Sequence, residues 1–241
     1  TLEQIYEAFL KQEDYFAEKM RDHYFIRGTT ENANSPMSGY RAGMLYRDCI
    51  PAGMTSREGG CRYPEGKASW VGDKGICDVG DYLTGIEYLV FDKKMVTMDE
   101  LLKAMDANWE GHEDIRQMCL KAPKYGNDDD YADKWYVRAS HDTQQILLSR
   151  PDPITGAKPM LFKGAAAGHV TQGKAIGAMP NGRFAGTPIY DGGTSAMAGG
   201  DVNGPTALIL SATKYPTPYE CAGVAHNMKF SKAVLNSPEK L

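Results

Sequence analysis

Gly168-His169-Val170-Thr171-Gln172-Gly173 opens the stretch on which the fold reading turns. It continues as Gly177-Ala178-Met179-Pro180-Asn181-Gly182-Arg183-Phe184-Ala185-Gly186, then Asp191-Gly192-Gly193-Thr194-Ser195-Ala196-Met197, Gly199-Gly200-Asp201 and Gly204-Pro205-Thr206-Ala207. Between Gly164 and Gly204 there are 11 glycines, few charges and no amphipathic period. That pattern predicts loops and tight turns, in which backbone takes positive φ or approaches something closely. Neither GxxxxGK[ST] nor GxGxxG occurs, so a phosphate loop and a dinucleotide turn are excluded. Val170, Ile176, Met179, Phe184, Ile189 and Met197 are interleaved, where a free linker would be low in apolar residues. The stretch therefore reads as packed backbone lying close to something buried.

Upstream of it, Asp78 to Ser149 reads as mostly helical. Asp78 or Asp81 can cap a helix running to Phe91, and Thr97-Met98-Asp99-Glu100 spells a capping box ahead of Leu101, Leu102 and Met105. A further helix is expected from Glu113 to Leu120. Another is expected from the Asp128–Asp130 run to Leu148, where the acids favour a helix start over a metal site. Leu2 to Phe25 has apolar residues mostly three and four apart, predicting an amphipathic helix. Gly28 to Gly75 is turn-rich, interrupted by a short helix around Ala42–Cys49, and its length points to loops that are functional or packed by something else. Downstream, Gly204-Pro205-Thr206 opens a helix over Ala207–Ala212. Ser237-Pro238-Glu239 reads as the start of another, so both ends are expected to lie inside a longer polypeptide.

With 42% hydrophobic residues, the 241-residue chain can bury a sizeable core. Net charge is −4 and no basic block occurs, which argues against nucleic acid or an anionic membrane as partner. No apolar run approaches the ~20 residues of a membrane helix, and no signal peptide is evident. Cys49, Cys61, Cys77, Cys119 and Cys221 form no CxxC pair, and the histidines show no ligand spacing. A disulfide framework and a zinc site are therefore not expected, and the cytoplasm is the simplest compartment.

The order GHxxxG, GAxPxGRxAGxPxxDGxxS, GxD and GPTA resembles the C-terminal half of the pyruvate formate-lyase-like glycyl radical enzymes. Other blocks agree in the same order. Leu2 to Phe16 resembles the family's helix before the substrate loop. Asn34-Ser35-Pro36-Met37-Ser38 with Asp48-Cys49-Ile50 resembles its proline–hydrophobic–serine and DC region, and Glu58-Gly59-Gly60-Cys61-Arg62-Tyr63 its EGGxRY block. Pro123-Lys124-Tyr125-Gly126-Asn127-Asp128 resembles PKYGND, and Asn227-Met228-Lys229-Phe230-Ser231 resembles NMKFS.

The resemblance implies an α/β fold: a ten-stranded barrel inside a helical shell, with residues 1–241 an interior part of one such domain. It also implies a protein-derived glycyl radical as cofactor and a cysteine that becomes a thiyl radical. Both loops are expected outside this chain, since no RVSGY-like string occurs and Cys61 stands where the family has a small residue. The implied partners are the rest of the catalytic chain, small accessory subunits and a radical-SAM activating enzyme. Ala178–Arg183, Tyr190–Met197 and Gly223–Asn227 look most similar to the fumarate-adding group, benzylsuccinate synthase and its relatives. The implied reaction then adds a hydrocarbon radical, from a toluene- or cresol-like molecule or an alkane, to fumarate. The alternatives are a decarboxylase or dehydratase of the same family, or a non-catalytic piece.

Four residues are placed at the substrate. The Gln172 amide can donate to a carboxylate. Trp70 can wall an aromatic slot. His169 orients loop backbone, and Val170 stands between them. Arg183 is expected on loop carbonyls or on Asp191 or Asp201. Cys49, Cys77, Cys119 and Cys221 are expected to act as small hydrophobes.

Overall fold

In a computed structural model, the residues described are 1–34, 46–54, 70–72, 75–151, 153, 156, 158–164, 168–215, 220 and 223–230, without the side chains of 24, 25, 27–34 and 70. The EGGxRY block, the proline–hydrophobic–serine block, Ala42 and Ser237–Glu239 lie outside them. The chain divides into two compact units: 1–6, 72–141 and 162–241 form one, and 7–71 with 142–161 form the other.

Helix α1 spans Leu2–Asn34, nine residues past the expected end at Phe25. Thr1 closes its first turn, since its Oγ1 accepts from the Gln4 N–H at 3.3 Å. A one-turn helix α2, Cys49–Ala52, ends in the left-handed Gly53. In the smaller unit, Ala17 of α1 packs with Val71, Leu147 and Leu161, backed by Met20, Ile146 and Leu148. Arg150 and Asp14 pair on its surface.

The larger unit is built on helix α3, Ile76–Ile86, which continues as a π-helical turn over Glu87–Asp92. The sequence Ile-Cys-Asp-Val-Gly-Asp-Tyr-Leu-Thr-Gly-Ile is apolar on nearly every side, and eight of its residues are buried. Gly80 and Gly85 let other chain come close: a Cβ would stand 3.0 Å from the Tyr136 backbone at one and 2.4 Å from the Pro180 carbonyl at the other. Neither Asp78 nor Asp81 caps this helix. Its N-cap is Gly75, in the left-handed region, and both acids are inside, at 2% and 1% exposure.

The capping box forms as expected at helix α4, Met98–Asp106. Thr97 Oγ1 accepts from Glu100 N–H at 3.2 Å, and the Glu100 carboxylate accepts from Thr97 N–H at 2.8 Å. Helix α5 spans Glu113–Lys121 and helix α6 spans Asp130–Leu148. Leu89, Val96, Leu101, Ala104, Trp109, Ile115, Cys119 and Ala178 form one core. Tyr136 of α6 meets the Tyr125 ring in a tilted contact and the Tyr215 ring in an edge-on one, with centroids 4.3 and 5.7 Å apart. Cys49, Cys77 and Cys119 are buried thiols, in line with a packing role.

Strands β1 (Trp70–Gly72) and β2 (Met160–Phe162) pair in a two-stranded sheet. Lys163 extends β2 by a parallel bridge to Val224. Two short helices follow: α7, Gly168–Ala175, and α8, Pro205–Thr213, which has proline in its first turn. Helix α7 falls where loop was expected. Its contact face is Gly173, where a Cβ would meet the Thr187 carbonyl at 2.3 Å. A helix that packs through a missing side chain leaves no apolar stripe to read. No described helix is long and apolar enough to cross a membrane.

Candidate functional site

Helix α7 carries three of the four residues expected at a substrate. His169 and Gln172, three apart, share a side of the helix, and Val170 sits about a quarter turn around it. Gln172 is exposed and Val170 is 38% exposed. His169 Nδ1 lies 3.4 Å from Asp191 Oδ1, and its carbonyl accepts from the Ile189 N–H at 3.3 Å. Its side chain thus meets a loop carboxylate, and only its main-chain carbonyl bonds loop backbone. Trp70 is in β1, with its side chain outside the described residues.

The loop after α7 is pinned by Arg183. Its guanidinium donates to the carbonyls of Gly177 at 2.6 Å and Gly173 at 3.2 Å, and to that of Thr187. Those of Gly177 and Thr187 are loop carbonyls, one of the two partners expected, and that of Gly173 belongs to the last turn of α7. Backbone is held from the other direction too: Trp109 Nε1 donates to the Arg183 carbonyl at 2.8 Å, and the Ala185 N–H donates to Asn108 Oδ1 at 2.8 Å. Arg116 adds a bond to the Gly182 carbonyl and a guanidinium 4.1 Å over the Phe184 ring.

Residues 191–195 are clasped against 225–227. Gly193 is required there, since a Cβ would lie 1.7 Å from the Ala225 carbonyl oxygen. Thr194 N–H donates to that carbonyl at 2.9 Å, Thr194 Oγ1 meets His226 Nδ1 at 2.8 Å, and Asn227 N–H donates to Ser195 Oγ at 3.0 Å. Burial lowers the His226 pKa, opposed by its hydrogen bond with Thr194. Tyr125 Oη donates to the Thr194 carbonyl at 2.9 Å from the opposite flank.

The PKYGND segment is organised by buried charge. Asp81 Oδ1 accepts from the Tyr125 N–H at 2.8 Å, and Asp78 Oδ2 accepts from the Tyr190 N–H at 2.9 Å. Burial pushes Asp78 up to about 6, with the Tyr190 N–H opposing. It pushes Asp81 up to about 7, with Lys124 opposing. Burial in turn lowers the Lys124 pKa, and its ammonium donates to the Cys119 and Ala122 carbonyls at 2.6 and 2.8 Å. Asn127 spans to the next loop, donating to Gly200 O at 2.7 Å and accepting from Val202 and Asn203 N–H. A cleft of about 350 Å³ lies between the two loops. Lys214 sits on Asp128, Asp130 and Asp133 at 3.0, 2.7 and 2.8 Å, so the acidic run has an ammonium partner. Among the described residues, no group of three His, Cys, Asp or Glu side chains is arranged to hold a metal.

The reading from sequence missed Asp78, Asp81 and Trp109. A signal was available for the acids: two carboxylates three apart in a helix otherwise apolar all round have to be buried and bonded.

Residues 1–163 match the family described as pyruvate formate lyase-like, and residues 190–241 match the one described as glycine radical. Trans-4-hydroxy-L-proline dehydratase of Clostridioides difficile is 35% identical over 100% of this chain and 30% of its own length. Isethionate sulfite-lyase of Oleidesulfovibrio alaskensis is 33% identical over 88% of this chain and 25% of its own. Among solved structures, the glycerol-bound B12-independent glycerol dehydratase from Clostridium butyricum superposes on 100% of this chain and 30% of its own, with TM-score 0.77 and 26% identity. The chain belongs to the pyruvate formate lyase-like glycyl radical enzyme family and has the fold of part of its α/β barrel. It spans about a third or less of the length of these relatives.

Proposed function

We propose that this chain forms part of the catalytic subunit of a glycyl radical eliminase, which removes water or another leaving group from a small polar substrate. The observation that carries the reading is the 35% identity, over the whole chain, to a hydroxyproline dehydratase. A sulfite-lyase and a sulfopropanediol dehydratase among the other relatives support the same class of bond cleavage. The fumarate-adding reaction retains the sequence details at Ala178–Arg183 and Gly223–Asn227, but none of the relatives named here carries it out.

In this reading, the whole enzyme's glycyl radical supplies the hydrogen-abstracting equivalent through a cysteine. The chain's own part is to bind and orient the substrate. Gln172 offers an amide donor and acceptor, His169 holds its loop through Asp191, and Val170 supplies apolar wall. A radical-SAM activating enzyme and small accessory subunits are the proposed partners.

The test is anaerobic turnover by the complete, activated enzyme, analysed by mass spectrometry. Trans-4-hydroxy-L-proline, glycerol and isethionate are supplied singly, and toluene together with fumarate. A dehydrated or desulfonated product is expected. A substituted succinate, with no elimination product, would overturn the proposal.

A further inference from the structure

Helix α4 ends in two consecutive non-glycine residues with positive φ, Asn108 at 49° and Trp109 at 70°. Left-handed backbone is uncommon outside glycine; asparagine tolerates it better than most, but for a bulky residue such as tryptophan it is a marked outlier that persists only where surrounding contacts enforce it. The enforcing contacts are on the page. Trp109 is 2% exposed in the core of the larger unit, and its indole N–H is spent on the Arg183 carbonyl. Asn108 is turned so that its side-chain oxygen takes the Ala185 N–H. Both strained residues therefore grip the chain on either side of Phe184.

What they grip acts onward. Arg183 is 6% exposed, and its guanidinium reaches back over the C-terminal end of α7, taking carbonyls of Gly173, Gly177 and Thr187. A cation at a helix C-terminus also suits the helix dipole. No lysine can satisfy three divergent carbonyls from one rigid fork. The same helix packs onto Thr187 through Gly173, with no side chain to cushion a shift. Displacement of Arg183 thus becomes displacement of α7, and so of His169 and Gln172.

We infer that Asn108, Trp109 and Arg183 are positioning residues: a strained corner fixes Arg183, and Arg183 fixes the helix that presents Gln172 to substrate. This rests on the proposed reading of α7 as substrate-facing.

Two measurements on the complete enzyme separate the inference from that reading. Hydrogen exchange reports the clamp without any substrate. Steady-state kinetics, with whichever of trans-4-hydroxy-L-proline, glycerol or isethionate is turned over, report its use. The variants are Trp109→Phe, which keeps an aromatic ring but is smaller and lacks the indole N–H, Arg183→Lys, and Asn108→Gly, which removes the acceptor and relaxes the backbone. In all three, amides at the C-terminal end of α7 should exchange about tenfold faster, while those of α3 stay unchanged. KM should rise roughly tenfold with little change in kcat, as for loss of an oriented hydrogen bond. Gln172→Ala should cost less in the Trp109→Phe background than alone. Unchanged exchange in α7 would overturn the inference. So would a KM that moves with Gln172→Ala but not with the clamp variants. If Gln172→Ala leaves KM unmoved, α7 is not substrate-facing, and the exchange result alone decides the clamp.

Discussion

Gly173 shows how little room single positions allow. A methyl group there would stand 2.3 Å from the Thr187 carbonyl oxygen and 2.7 Å from Pro188 Cα, both backbone atoms that cannot swing aside. Gly173→Ala is therefore expected to destabilise the protein by about 1–3 kcal/mol. Gly177→Ala, with nothing within 4 Å of the new methyl, should stay within about 0.5 kcal/mol of the parent. Urea denaturation of both variants checks the pair; equal losses would contradict the packing account. The buried acids make a second prediction. Unfolded aspartates release their protons near the ordinary 3.8, whereas Asp78 and Asp81 hold theirs to about 6 and about 7 in the fold. Between those values the folded chain binds the extra protons, so their contribution favours folding less and less as pH rises from about 4 to about 7, then levels off. Asp81→Asn keeps an acceptor for the Tyr125 N–H and should flatten that decline, measured as denaturation midpoint against pH. These acids were hidden from the sequence reading because aspartate near a helix start is most simply a cap. The apolar residues on every side of them were the signal that both had to be buried and bonded.

Elements were legible where local chemistry decides them. The Thr97–Glu100 capping box is written in four residues and forms with both reciprocal bonds. Thr97→Ala should cost about 1 kcal/mol, read as a lower thermal midpoint with α4 amides losing protection first. Helices α5, α6 and α8 start within a residue or two of the places their acids and proline predict. Helix α7 was not legible, because the signal for a surface helix is an apolar stripe and this one packs through a glycine. The strained Asn108–Trp109 corner was invisible for a related reason. No local pattern marks left-handed backbone at a tryptophan whose conformation is dictated by a loop more than seventy residues away.

For the whole molecule, six short blocks in the right order were enough to place the chain in its family, because glycines that must admit backbone contact are hard to substitute. Gly193 against Ala225 is the clearest case. The particular reaction was not legible in the same way. Loop details at Ala178–Arg183 pointed toward fumarate addition, yet Arg183 bonds main-chain carbonyls, so it serves packing rather than naming a substrate. We propose that the complete enzyme eliminates. This is tested most directly by following oxygen: trans-4-hydroxy-L-proline labelled with heavy oxygen in its hydroxyl is given to the complete, activated enzyme, and the released water is analysed. The account predicts labelled water formed in step with dehydrated product. Label retained on carbon while a substrate–fumarate adduct accumulates would contradict it.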